Sequence, residues 1–265
     1  MVQAYQVHRR PFLTNTVNLV GGSYAIWATK MHFEILWDIV NEAALQRRGS
    51  LAIIFLSYDI SSQAPYPRQL QQASTAMNYI SHTLGRPASD VLLAGDSAGG
   101  HLILALLSHI AHNNLEVQPV KVSGMLKGVA FVSPWVTFDT ATSDSMQRNK
   151  NKDILTVPML SASVSAFRGQ TSCNNYYMEP LAADAEWWRD VPVKRFLILA
   201  GADEMFVDDI SQFAAKLGTV HPDVTYCQVQ DEVHDHMLIE SMLREPMCQQ
   251  RQIFRRWLLE LCYFS

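Results

Sequence analysis

The segment Gly95-Asp96-Ser97-Ala98-Gly99 has the residue types and spacing to do nucleophilic chemistry. It is a G-x-S-x-G pattern, weak on its own because small residues recur by chance. Here it follows an apolar run, Val91 to Ala94, and opens a helical one, Leu102 to His109. A serine on such a strand-to-helix turn is held exposed on a strained backbone, the arrangement of a nucleophile elbow. The helix N-terminus beneath it favours developing negative charge.

A serine hydroxyl alone is a poor nucleophile. It needs a base to take its proton and a carboxylate to orient that base. Behind elbows of this kind the partners follow in the order acid, then histidine. The run Phe196 to Ala200 leads into Gly201-Ala202-Asp203-Glu204, and Val224 to Val229 leads into Asp231-Glu232-Val233-His234-Asp235-His236. The acid is therefore Asp203 or Glu204, and the base His234 or His236. Asp208 and Asp209 fit better in the first turn of a following helix, where carboxylates suit the dipole. His82, His101, His109 and His112 fall on helical segments and read as structural or exposed. Oxyanion donors are expected from the backbone of Gly21, Gly22 and Ser23, after an early strand, and from Ala98, just past the nucleophile.

These groups need a frame that brings strand ends together. Short β-branched runs alternate with longer amphipathic ones, which predicts an α/β domain with a mostly parallel sheet between helices. Strands are expected at Thr16–Val20, Leu51–Tyr58, Val91–Ala94, Gly128–Ser133, Phe196–Ala200 and Val224–Val229. Helices are expected at Met31–Arg47, from Tyr66-Pro67 to about Leu84, up to about His112, and at Cys248–Tyr263. The stretch from about 137 to 190 breaks the rhythm. It is polar at first, then carries Met159, Phe167, Tyr176, Tyr177, Trp187 and Trp188, and reads as a helical lid inserted in a single domain spanning 1–265.

Composition narrows the function. The 265 residues carry a formal net charge of -4, with 48% hydrophobic and 17% charged side chains, and no basic stripe. Nucleic acid is not an expected partner. The segment Met1–Phe12 lacks an apolar signal core, and no run is long enough for a membrane span, so a cytoplasmic protein is the default expectation. Cys173, Cys227, Cys248 and Cys262 show no paired spacing and read as reduced thiols. The final helix, with Arg251, Arg255 and Arg256 beside Phe254, Trp257 and Leu258, reads as packed on the sheet rather than on a bilayer. No metal or organic cofactor is expected.

On these residues the chain resembles the hormone-sensitive-lipase-like branch of the α/β-hydrolases, and within it fungal esterases of the steryl acetyl hydrolase type. The resemblance runs roughly from Asn18 to Leu243. It rests on Gly95 to Gly100, Ser133-Pro134-Trp135, Tyr177-Met178-Glu179-Pro180 with Trp187-Trp188, Glu204 before Asp208-Asp209, and Val233-His234-Asp235. Its register implies Glu204 as the acid and His234 as the base. The resemblance implies a serine esterase working through an acyl-enzyme on a short acyl group carried by a bulky apolar alcohol, such as a sterol or polyketide. An acyltransferase or cyclase of secondary metabolism, and a non-catalytic binding protein, are the alternative readings. The resemblance also allows a homodimer. Two departures stand out. Val20 occupies the place of a histidine that braces the oxyanion loop in the family, and the stretch before that loop is short, so the sheet is expected to lack its first edge strands.

Overall fold

The computed structural model describes residues 14–19, 21–46, 51–141, 143–171 and 175–263. Val20, Cys173 and the segment before Thr14 lie outside them. The expectations placed on Val20 and on leading edge strands therefore fall outside the described residues.

Among the described residues, six parallel strands form one sheet in the order β2-β1-β3-β4-β5-β6. They are β1 (Thr14–Leu19), β2 (Leu51–Leu56), β3 (Val91–Asp96), β4 (Gly128–Val132), β5 (Phe196–Gly201) and β6 (Val224–Val229). β2, β3, β4 and β5 are buried along their whole length, as strands covered by helices on both faces should be. Alternate side chains enter two cores. Val91 and Leu93 point to one, while Leu92 and Ala94 point to the other.

Helices connect these strands. α1 (Lys30–Leu45) buries Ile35, Leu36, Ile39, Val40 and Ala43 along one stripe. Thr29 and His32 form a capping box that starts it. α2 (Arg68–Asn78) passes into a single π-helical turn (Tyr79–Thr83), so the one helix expected there is two elements. α3 (Ser97–His112) is buried on every side from Ser97 to His109. It is the central helix, packed between the sheet and the 133–195 connection, which is why its sequence is apolar all round.

The connection from β4 to β5 carries short helices between irregular segments. It holds α4 (Asp144–Arg148), α5 (Val157–Arg168), a 3₁₀ turn (Pro180–Ala182) and α6 (Ala185–Trp188). α7 (Val207–Gly218) follows β5 and carries Asp208 and Asp209 in its first turn. α8 (His236–Leu243) was not anticipated from sequence, since its eight residues are too few to show a clear period. α9 (Gln249–Tyr263) lies on the sheet with Phe254, Leu258, Leu259 and Leu261 buried, and its Arg251 pairs with Asp38 and Glu240. No helix among the described residues is long and apolar enough to cross a membrane. The thiols of Cys227, Cys248 and Cys262 are free, and burial pushes Cys248 up to about 12 and Cys262 up to about 11.

The strand order reverses between β1 and β3. From β1 the chain moves outward to β2, returns past β1 to β3, and then advances to β6. Open α/β sheets bind ligands at the carboxyl ends of strands beside such a switch point. Gly21 follows β1 and Ser97 follows β3, so the switch point brings the glycine loop to the serine.

Candidate active site

Ser97 leaves β3 with φ of +46°, in the left-handed region that costs a non-glycine residue strain. The turn is too tight for a side chain at Gly95. A Cβ there would sit 2.7 Å from the carbonyl carbon of Gly99. The first glycine of the G-x-S-x-G pattern is thus required by close backbone approach.

Three strand ends deliver three side chains to one point. The loop after β6 places His234 Nε2 2.9 Å from Ser97 Oγ. The loop after β5 places Glu204 Oε2 3.2 Å from His234 Nδ1. All three residues are buried, Glu204 completely. The ambiguity over the acid resolves physically. Glu204 faces the histidine, whereas Asp203 turns outward to Lys152 Nζ at 2.6 Å. His236 begins α8 and its Nδ1 accepts the N–H of Val233, within its own turn. The edge of Phe206 packs on the His234 ring at 5.1 Å between centroids.

The electrostatics favour a charged imidazole. Burial alone lowers the pKa of His234. The carboxylates of Asp235, Glu204 and Asp153 outweigh it and carry the value up to about 9. Burial raises Glu204, although its bond to His234 opposes the shift. Asp96 goes the other way. Despite burial, His32 and the Gly21 N–H hold it below the usual carboxylate range.

The glycine loop takes an uncommon conformation. Gly22, Ser23 and Tyr24 have φ of +108°, +54° and +57° in succession. The Gly22 carbonyl accepts the N–H groups of Ala25 and Ile26, closing the turn. Ala98 lies in the first turn of α3, whose N–H groups have no partner within the helix. One of the four expected oxyanion donors is corrected here. The Gly21 N–H donates to Asp96 Oδ2 at 3.0 Å and is not available to a ligand. It ties the glycine loop to the elbow, which leaves Gly22, Ser23 and Ala98 of the expected donors.

A second tie holds the loop from below. The Tyr24 hydroxyl lies 2.6 Å from His101 Nδ1, and His101 Nε2 lies 3.0 Å from the Met178 carbonyl. A carbonyl only accepts, so Nε2 carries the proton and Nδ1 accepts from Tyr24. Burial pushes His101 down to about 4, which keeps it neutral. His109 and His112 bond the carbonyls of Gln118 and Trp187, and His82 is exposed.

Sequence reading passed over several residues that the fold brings in. His32 on α1 bonds Asp96 Oδ2 at 3.2 Å, and its Nδ1 caps the helix at Thr29. Asp153 joins the loops that carry Glu204 and His234, accepting the N–H of His234 at 3.1 Å and of Met205 at 2.6 Å. Asn149 donates to the carbonyls of Ala202 and Glu204. Asp235 stands 3.3 Å from His234 Nε2. Only Asp96 and Asp235 lay inside motifs that could have flagged them. The others act across 30 residues or more.

A cavity of about 330 Å³ opens on Ser97 and His234. Its walls are aliphatic, with Ile26, Met31, Ile154, Met159, Leu238 and Met242 among them. The aromatic side chains of the 137–190 stretch are not in these walls. Phe167 stacks on Tyr24, Trp188 is buried against Phe213, and Trp187 stacks on His112.

A sequence-family model described as alpha/beta hydrolase fold matches residues 16–238. The chain belongs to the α/β-hydrolase fold family. The match takes in the glycine loop, Ser97, Glu204 and His234. A steryl acetyl hydrolase of Saccharomyces cerevisiae is 25% identical over 70% of this chain and 43% of its own length. An esterase of Acinetobacter venetianus is 23% identical over 74% of this chain and 58% of its own. The hormone-sensitive lipase of Mus musculus is 26% identical over 58% of this chain and 19% of its own. The chain spans about half the length of the first two of these relatives. Among solved structures, a carboxyl esterase of Tuber melanosporum superposes with a TM-score of 0.76 over 99% of this chain and 86% of its own, at 16% identity. An esterase of the bacterial hormone-sensitive lipase family gives 0.77 over 99% and 84%, at 19% identity. At such identities these structural likenesses speak for the α/β-hydrolase fold.

Proposed function

We propose that this protein is a carboxylic-ester hydrolase with Ser97 as nucleophile, His234 as base and Glu204 as the acid that orients it. The observation that carries the reading is the continuous relay Ser97 Oγ–His234–Glu204, at 2.9 and 3.2 Å, buried beside an apolar cavity. Ser97 Oγ attacks the acyl carbon and gives its proton to His234 Nε2. The N–H groups of Gly22, Ser23 and Ala98 stabilise the oxyanion. The imidazolium then protonates the departing alcohol, and water releases the acyl group by the same steps in reverse.

The aliphatic walls support an apolar alcohol, and the names of the fungal relatives support a short acyl group on a sterol-like one. α5 and the residues before it form one wall of the cavity through Ile154, Leu155, Met159 and Ser163, in keeping with a lid role for the 137–190 stretch. The test is hydrolysis of p-nitrophenyl acetate and butyrate, alongside a sterol acetate, by the wild type and Ser97→Ala. Turnover by the wild type alone supports the reading. Equal rates in both proteins contradict it.

A further inference from the structure

Asp235 has no part in an ordinary serine–histidine–acid relay, yet it stands at the reacting nitrogen. Its Oδ2 lies 3.3 Å from His234 Nε2, on the side from which Ser97 Oγ approaches to 2.9 Å. The backbone fixes it there. Asp235 is left-handed, with φ of +50° and ψ of +38°, and its N–H donates to Ser133 Oγ at 3.2 Å. Asp235 lines the cavity while only 6% exposed, and its Oδ1 has no hydrogen-bond partner.

Counting protons shows the consequence. His234 Nδ1 faces the Glu204 carboxylate and must carry a hydrogen to bond it. Nε2 then has one position left and two oxygens competing for it. A bare Nε2 lone pair facing an ionised Asp235 would put two acceptors 3.3 Å apart in a buried site, with no bond between them. A proton therefore sits between these residues, as Nε2–H shared by Ser97 and Asp235 or as a carboxyl O–H donated to Nε2. In either form the nitrogen cannot accept the hydroxyl proton of Ser97.

We propose that Asp235 is a positioning residue that holds an extra proton against His234 Nε2, so that Ser97 becomes nucleophilic only after this proton is released. The inference rests on the serine-hydrolase reading for its kinetic consequence but not for the proton itself. The charged groups around His234 agree with it. Glu204 faces the ring from the loop after β5, Asp153 takes its backbone N–H from the β4–β5 connection, and the hydrogen-bonded His32–Asp96 pair lies close enough to act on Asp235. Asp235, Glu204 and Asp153 favour the protonated ring, and burial, with the charges of Asp96 and Glu204, lifts Asp235 itself well above the usual carboxylate range, so the pair retains a proton in either form. Removing the Asp235 carboxyl should release the proton at lower pH, by about 1 unit or more for a charge at this range.

The test is the pH dependence of inactivation by a fluorophosphonate and of kcat/KM for p-nitrophenyl butyrate, in wild type and Asp235→Asn. Both wild-type profiles should rise on the alkaline side of neutrality. In Asp235→Asn the rising limb should move at least about 1 unit toward acid, with KM within about twofold of wild type. Coincident limbs overturn the proposal. A second measurement covers a variant that fails to fold and a protein that turns over neither probe. It is the NMR titration of the His234 imidazole in the wild type, identified against His234→Gln. An imidazolium persisting at neutral pH supports the proposal even if the esterase reading fails. A neutral ring at that pH, with no proton shared with a carboxyl group, overturns it.

Discussion

Asp153 fixes His234 through the main chain. Its Oδ1 accepts the His234 N–H at 3.1 Å, and its other oxygen accepts the Met205 N–H, next to Glu204, at 2.6 Å. One carboxylate from the β4–β5 connection therefore sets the distance between the loops that carry base and acid. Around it, Asn149 holds the carbonyls of Ala202 and Glu204, and Ser145 holds that of Met205. The polar start of the 137–190 stretch, read from sequence as part of a lid, braces these loops.

Asp153→Ala removes both acceptor oxygens and takes the carboxylate away from three N–H groups, those of Ile154, Met205 and His234. Stability should fall by about 2–4 kcal/mol, as for lost bonds to a charged group. Displacement of the base should lower kcat by about 10²-fold with a smaller effect on KM. Thermal unfolding and steady-state kinetics on p-nitrophenyl butyrate read the two effects. Unchanged kcat in a folded variant would remove Asp153 from the account.

The choice of acid is open to a paired comparison. Glu204→Gln keeps the shape but loses the charge that holds the imidazolium, and kcat should drop by about 10²–10⁴. Asp203→Asn touches only the pair with Lys152, which is largely solvent-accessible, so its activity should stay within about twofold of wild type. The reverse ranking would transfer the role to Asp203.

His101 makes the fold sensitive to acid. Its pKa is depressed from 6.5 to about 4 by burial. The unfolded chain therefore binds a proton more readily than the folded one. The stabilisation is complete above pH 6.5 and is lost as pH falls toward 4. The full difference is roughly 3 kcal/mol, from about 1.4 kcal/mol per unit. Denaturant midpoints between pH 7 and 4 should fall in the wild type and flatten in His101→Asn, which also keeps an amide to bond Tyr24 or Met178. Parallel curves would show that His101 does not titrate in this window.

The glycine loop separates rate from fold. A Cβ on Gly22 would lie 2.5 Å from Ile26 Cγ1, at a φ of +108° that side chains rarely adopt. Gly22→Ala should cost about 10²–10³ in kcat by disturbing the oxyanion donors. Gly85→Ala has a positive φ but meets nothing within 4 Å, so it should lose about 1 kcal/mol of stability and no activity. Matched circular dichroism spectra with divergent kcat values are the expected pattern.

Much of this architecture is legible from periodicity, because buried parallel strands are short, apolar and β-branched. β6 begins and ends where the sequence places it, and β3 and β5 extend one or two residues beyond. Ser97 is legible from its strand-to-helix turn, whereas strand ends alone leave Asp203 or Glu204 and His234 or His236, and the register of the resemblance points to Glu204 and His234. Gly21 is misread as an oxyanion donor because its partner, Asp96, is 75 residues away, and a backbone N–H gives no sign in sequence of where it points. His32, Asn149 and Asp153 stay hidden for the same reason. They are ordinary polar residues whose role exists only once the sheet order brings α1 and the β4–β5 connection to the strand ends. The aromatic residues of that connection mostly pack rather than line the cavity, with Phe167 and Trp188 buried and Tyr176 exposed. Flat rings bury large area against Tyr24, His112 and Phe213, and the aliphatic side chains are left at the opening.

The most direct test of the central claim is peptide mapping after treatment with a fluorophosphonate at alkaline pH. The account predicts one adduct, on the peptide containing Ser97, in the wild type and none in Ser97→Ala. An unmodified Ser97 in folded wild-type protein, or an equal adduct in Ser97→Ala, would contradict it.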